Sequence, residues 1–208
     1  MPWIKGVHHS ESPTKEEFLR GCEEFEKHEK RDSMYKVATF LVEHFWGKPA
    51  DMADALGVLL LTWNQAFYRY GLFDFDELEK CIADNLLKVD SFRKRELTTL
   101  SDSDEKEIQE LFQRFLGALK IGSGKKSPVA AAKALHLLAP AFFPLWDDKI
   151  ARAYGCYYAE EPAQKYITFC RITRDIAKNV KNYVADSRKT LVKLIDVYNY
   201  SKYTQGWI

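Results

Sequence analysis

Apolar positions recur along this chain at the three-to-four-residue spacing of helices that bury one face, and no segment keeps the strict alternation of a half-buried strand. Thr14, followed by Glu16 and Glu17, predicts a first helix running toward Lys30. A threonine cap and early carboxylates suit the positive end of a helix dipole. Val37, Phe40, Leu41 and His44 lie on one stripe of a second helix, expected from about 33 to 46. The segment "GKPAD" ends it, and a third helix is expected from about 51 to 70, closed by Gly71. "DFDELEKCIADNLLK" predicts a fourth. Ile108, Leu111, Phe112, Phe115 and Leu119 share one face of a helix over 104–120. Further helices are expected at 127–138, 147–154, 161 to about 184, and Asp186 to about 200.

The pattern therefore predicts an all-α, two-lobed fold of eight to ten helices. The polar run "VDSFRKRELTTLSDSDEK" reads as a loop with room for one short helix, and its 89–104 portion as the division between lobes. The chain is expected to form a single unit over 1–208. Lobe one covers about 30–90 together with the helix at 14–30, and lobe two covers about 104–160. The helices of 161–208 are expected to pack against both.

Composition adds little to that picture, and charge adds more. Apolar residues are 46% and charged residues 29% of 208, as in an ordinary globular chain. The longest apolar run, "LGVLLLTW", is too short to cross a bilayer, and "MPWIKGVHHSES" has no apolar core of a secretory signal. His8 and His9 carry no assignment. Cys22, Cys81, Cys156 and Cys170 are scattered without metal-ligand spacing, so reduced thiols in a cytoplasmic protein are expected, with no metal and no cofactor. A net charge of +1 hides a segregation: residues 74–110 hold twelve acidic and six basic side chains, whereas 111–146 hold five basic and no acidic ones. A basic second half of this kind fits a one-sided surface for a polyanion.

Within that basic stretch stands "GALKIGSGKKSPVAAAKALHLLAPAFFPLWDDKIARAYG". "GSGKKSP" is not a nucleotide-binding phosphate loop, because Lys125 occupies the place of the required glycine and a helix, not a strand, precedes it. It does fit a tight hairpin between two helices. Gly122 and Gly124 make the turn, and Ser127 and Pro128 serve as cap and first residue of the next helix. Backbone N–H groups at such a turn hold a phosphate, and Lys125 and Lys126 add charge. Asp147 after "FPLW" is a good helix cap in its own right. His136, on an Ala/Leu-rich helix, is expected to be a satisfied core histidine.

Taken in order, the glycine hairpin, the Ala-rich helix and the Pro-x-Trp-Asp helix start resemble the helix–hairpin–helix DNA glycosylase superfamily, the group of endonuclease III and the 8-oxoguanine glycosylases. The resemblance covers roughly residues 50–155. Ile121 stands where the family has Pro, Pro128 where it has Ala, and Asp148 adds a second acid. The resemblance implies excision of a damaged base flipped out of duplex DNA by a monomer, with strand cleavage where a lysine forms a Schiff base. It implies catalytic roles for Asp147 and Lys126, and DNA contacts through Gly122, Gly124, Lys125 and Ser127. "LGVLLLTWNQAF" is similar to a family helix whose last polar residues fill the gap left by the extruded base, which implies Asn64 or Gln65 here. Trp63, Phe67, Trp146 and Trp207 are the aromatic candidates for the base pocket. The sequence leaves open whether Asp147 or Asp148 faces inward, and whether water or Lys126 attacks. A helical DNA-binding module without chemistry and a helical protein-interaction protein are the alternatives from other classes.

Overall fold

The computed structural model describes residues 12–184, 187 and 189–208. His8 and His9, and the expected start of the last helix at Asp186, lie outside the described residues. Ten α-helices are present among those described, with no strand: α1 (Lys15–His28), α2 (Ser33–His44), α3 (Pro49–Trp63), α4 (Gln65–Tyr68), α5 (Phe75–Arg93), α6 (Glu105–Ala118), α7 (Pro128–Leu138), α8 (Asp148–Ala153), α9 (Pro162–Val180) and α10 (Leu191–Asn199). No helix among the described residues is long and apolar enough to cross a membrane.

The helix starts follow from local chemistry. Thr14, Asp74, Ser127, Asp147 and Thr190 each accept a backbone N–H of the following turn, which satisfies a donor the helix cannot. Proline opens α3, α7 and α9, where its missing N–H costs nothing. Gly57 lets α3 lie against Phe75 at the start of α5; a Cβ there would stand 2.2 Å from Phe75 Cε1.

Two expectations are corrected. The third helix is not continuous to residue 70, because Asn64 (φ −123°, ψ 30°) breaks it and α4 follows as a separate turn. The fourth helix does not end at Lys88, and the run from residue 89 holds more than the one short helix expected there. Val89 and Phe92 are buried, so core packing carries α5 on to Arg93, and two 3-10 turns follow at Leu97–Thr99 and Asp102–Asp104. Arg95 pins that segment through Asp104, whose carboxyl it holds down at about 2, with a backbone N–H of Ser101 helping.

The buried side chains form one cluster running from Phe18 to Tyr198. Its bulkiest part is aromatic: Phe92 against Phe142 and Phe143, and Trp146 against Phe112, Tyr166 and Phe169. Burying a side chain of that size stabilises the fold by about 1.5–3 kcal/mol. Helix α10 returns to α1 at the other end of the chain. Ser201 Oγ donates to Gly21 O at 2.8 Å, and Tyr198 OH to Glu17 Oε1 at 3.0 Å. That return places residues of α1 and α10 around one cavity with residues of α7 and α8, where the candidate site lies.

Candidate active site

The hairpin between α6 and α7 closes on itself by two bonds: Gly124 N donates to Ile121 O (2.8 Å) and Ile121 N to Lys125 O (3.0 Å). Gly124 has φ +83°, a conformation glycine adopts without strain. Residues 122–126 are exposed, and a Cβ at Gly122 or Gly124 would meet nothing within 4 Å, so the backbone is open to a ligand. Ser127 Oγ caps α7 through Ala130 N (3.2 Å) and accepts Asn64 Nδ2 at 2.9 Å. Tyr68 OH donates to Leu119 O on the other side of the turn. The α3–α4 corner thus braces the hairpin from beneath. Asn64 donates to that brace, whereas Gln65 beside it is exposed.

Seven residues beyond Lys126, α7 forms one wall of a cavity of about 330 Å³. Aromatic side chains Phe25, Trp63, Trp146 and Tyr200 share its lining with Lys133, Asp147, Lys193, Asp32 and Asp196. That volume and the mixture of aromatic walls with a few charges suit a small flat ligand. Trp146 is 1% exposed, and its Nε1 has no hydrogen-bond partner among the described residues.

Lys133 is the reactive-looking group. Its Nζ donates to Trp63 O at 2.7 Å and stands 5.7 Å from the centre of the Trp63 ring. Burial pushes its amine down to about 8, although the charges of Asp147 and Asp196 oppose the shift. Lys193, 4% exposed, is held differently, by Asp196 at 3.0 Å and Asp32 at 3.8 Å. Asp32 reaches it from a left-handed residue (φ 42°), a conformation that aspartate tolerates better than most.

Asp147 and Asp148 part ways. Asp147 Oδ1 accepts Ile150 N at 2.7 Å, its Oδ2 accepts the Thr204 hydroxyl at 2.8 Å, and the residue lines the cavity. Asp148 is exposed and pairs with Arg152 one turn along. The inward acid is Asp147.

Lys126 and Asp147 line different cavities. Lys126 precedes the α7 cap, is exposed, and borders an open groove with Gln109, Gln113 and Glu161. Two lysines share the cavity with Asp147: Lys133, on α7, and Lys193, on α10. Of the four expected pocket aromatics, Trp63 and Trp146 line the cavity and two do not. Phe67 packs edge-on against Tyr68, and Trp207 stacks on His28 with centroids 4.2 Å apart. Trp207 touches the cavity only through Tyr200, against which its ring lies edge-on.

Lys133, Lys193, Asp32, Asp196 and Tyr200 also line the cavity and belong to no motif in the sequence. For two of them a signal was present. Lys133 is a lone charge inside "VAAAKALHLL", and Lys193 sits in "LVKLIDVY" one turn before Asp196. A charge embedded in an apolar helical face has to find a buried partner or a cavity. Comparison with protein-family models, with curated proteins and with solved structures finds no match for this chain.

Proposed function

We propose that this chain is a DNA glycosylase with associated lyase activity, in which Lys133 is the attacking amine and Asp147 the carboxylate that stabilises the sugar cation. One observation carries this assignment: a desolvated amine and an inward carboxylate share an aromatic-walled cavity on the helix that starts at an exposed glycine hairpin. The hairpin amides, with Lys125 and Lys126, would grip a backbone phosphate, and the flipped nucleotide would enter the cavity at an unstacking cost of a few kcal/mol.

The chemistry follows from the groups present. With its amine at about 8, roughly a tenth of Lys133 is unprotonated at neutral pH, against fewer than one in a thousand for a solvated lysine. The free amine attacks C1′. A C–N bond to Lys133 forms, the bond to the base breaks, and the base leaves with the electron pair and takes a proton from water. Asp147 faces the positive charge that develops on the sugar. Loss of the ammonium proton and opening of the sugar ring at O4′, which takes up a proton, gives the iminium that permits strand cleavage.

Borohydride trapping on duplex oligonucleotides carrying an abasic site or single damaged bases tests the assignment. A covalent adduct should form with the wild type and with Lys126→Ala, and should vanish with Lys133→Ala. DNA binding without any adduct or base release would leave the protein a binding module.

A further inference from the structure

His136 lies on α7 three residues after Lys133 and is fully buried. Its Nδ1 is 2.7 Å from Phe143 O, and a carbonyl can only accept, so Nδ1 carries the proton. Nε2 is left as an acceptor, and the Tyr35 hydroxyl donates to it at 3.1 Å. Burial holds the imidazole down at about 3, so at neutral pH it carries no charge and exchanges no proton. What it does is fix Tyr35. The Tyr35 ring stacks parallel to Trp63 (6.0 Å between centroids, 10° between planes), and Lys193 Nζ stands 4.2 Å from the Tyr35 ring centre. Trp63 in turn presents the carbonyl that accepts Lys133.

We propose that the His136–Tyr35 pair is a positioning unit that holds the Lys133 amine on the Trp63 carbonyl and apart from the carboxylates across the cavity; its catalytic consequence rests on the reading of Lys133 as the attacking amine. The charged groups that line the cavity with Lys133 are Asp147 before α8, Asp196 and Lys193 on α10, Asp32 before α2, and Glu29 after α1, of which Asp147 and Asp196 act on its charge. An ammonium that slides onto any of these acids gains a full ion pair and stops being a nucleophile at neutral pH. The carbonyl is set by the end of α3, and the stack on Tyr35 fixes the Trp63 ring beside which the amine lies, so the amine keeps neutral surroundings.

Tyr35→Phe removes the hydroxyl and keeps the ring; His136→Gln is the second variant. The full-length protein is methylated reductively with a ¹³C label and titrated by NMR, the Lys133 resonance being assigned by its loss in Lys133→Arg. In the wild type it should titrate at about 8. In Tyr35→Phe the midpoint should rise by about one unit or more. Trapping of an abasic-site duplex at neutral pH should then fall about tenfold and recover above pH 9, since one unit is a tenfold change in free amine. Recovery at high pH is not expected of a variant that is merely loosened. A folded Tyr35→Phe that still titrates at about 8, or whose trapping stays low at every pH, overturns the proposal. If the midpoint moves but the wild type forms no adduct at any pH, the positioning unit stands and the glycosylase assignment falls.

Discussion

The two ends of α7 present lysine in opposite ways. At the hairpin, Lys125 and Lys126 project from an exposed turn with open space around its glycines. Two turns on, Lys133 is set in a wall of apolar and aromatic groups, bonded to a backbone carbonyl, with its amine pushed down by burial. Exposed ammonium groups act at long range, are screened by salt and can stand in for one another. A desolvated amine has one position and one chemistry. On the proposed reading the hairpin serves for grip and the helix interior for reaction, and a motif that announces the first says little about the second.

The comparison is broken most sharply by exchanging the roles. Lys133→Ala should lower adduct formation at least a hundredfold while leaving the affinity for undamaged duplex within about threefold; the reverse holds if Lys126 is the nucleophile. Next in size is a pH effect on stability. The Lys133 amine titrates at about 8 when folded and near the ordinary lysine value when unfolded. Between those values the unfolded chain binds more protons, so this residue's contribution to stability rises with pH through the window. Lys133→Met should therefore gain on the wild type below pH 8 by on the order of 3 kcal/mol, relative to its value above pH 10.5. Denaturant melts at a series of pH values measure that difference, and a flat difference would mean that Lys133 is not desolvated.

Asp147→Asn sharpens the carboxylate's part. Asparagine caps a helix as well as aspartate does, so the melting temperature should change little, while base release should fall about a hundredfold. Equal loss of both would make Asp147 a cap only. The smallest effect belongs to the hairpin: Lys125→Ala with Lys126→Ala should reduce the slope of log affinity against log salt by about 2 and leave the trapping rate of bound DNA unchanged.

How much of this was readable follows the same division between local and distant causes. Helix existence and most helix starts were legible, because caps such as Thr14, Ser127 and Asp147 act on the residues that follow them. The break at Asn64 was not, since its amide is claimed by Ser127, far along the chain. Val89 and Phe92 extend α5 because partners such as Phe142 and Phe143 bury them, which the polar surroundings of residues 89–104 concealed. At the cavity, Asp147 could be singled out because it stands at a helix start in a recognisable order of elements. Lys133 carries no motif, and its burial against Trp63 is set by tertiary packing. Lys193, Asp32 and Asp196 reach the cavity only through the return of α10 onto α1 and the turn after it, a tertiary event no spacing records.

The central claim is that the reactive amine is the buried lysine of α7 and not a lysine of the hairpin. Borohydride reduction of the wild-type protein on an abasic-site duplex, followed by digestion and mass mapping of the sugar-bearing peptide, identifies the attacking residue directly. The mass should fall on Lys133. A mass on Lys126 or Lys193, or no modified peptide while the protein stays bound to the duplex, would contradict it.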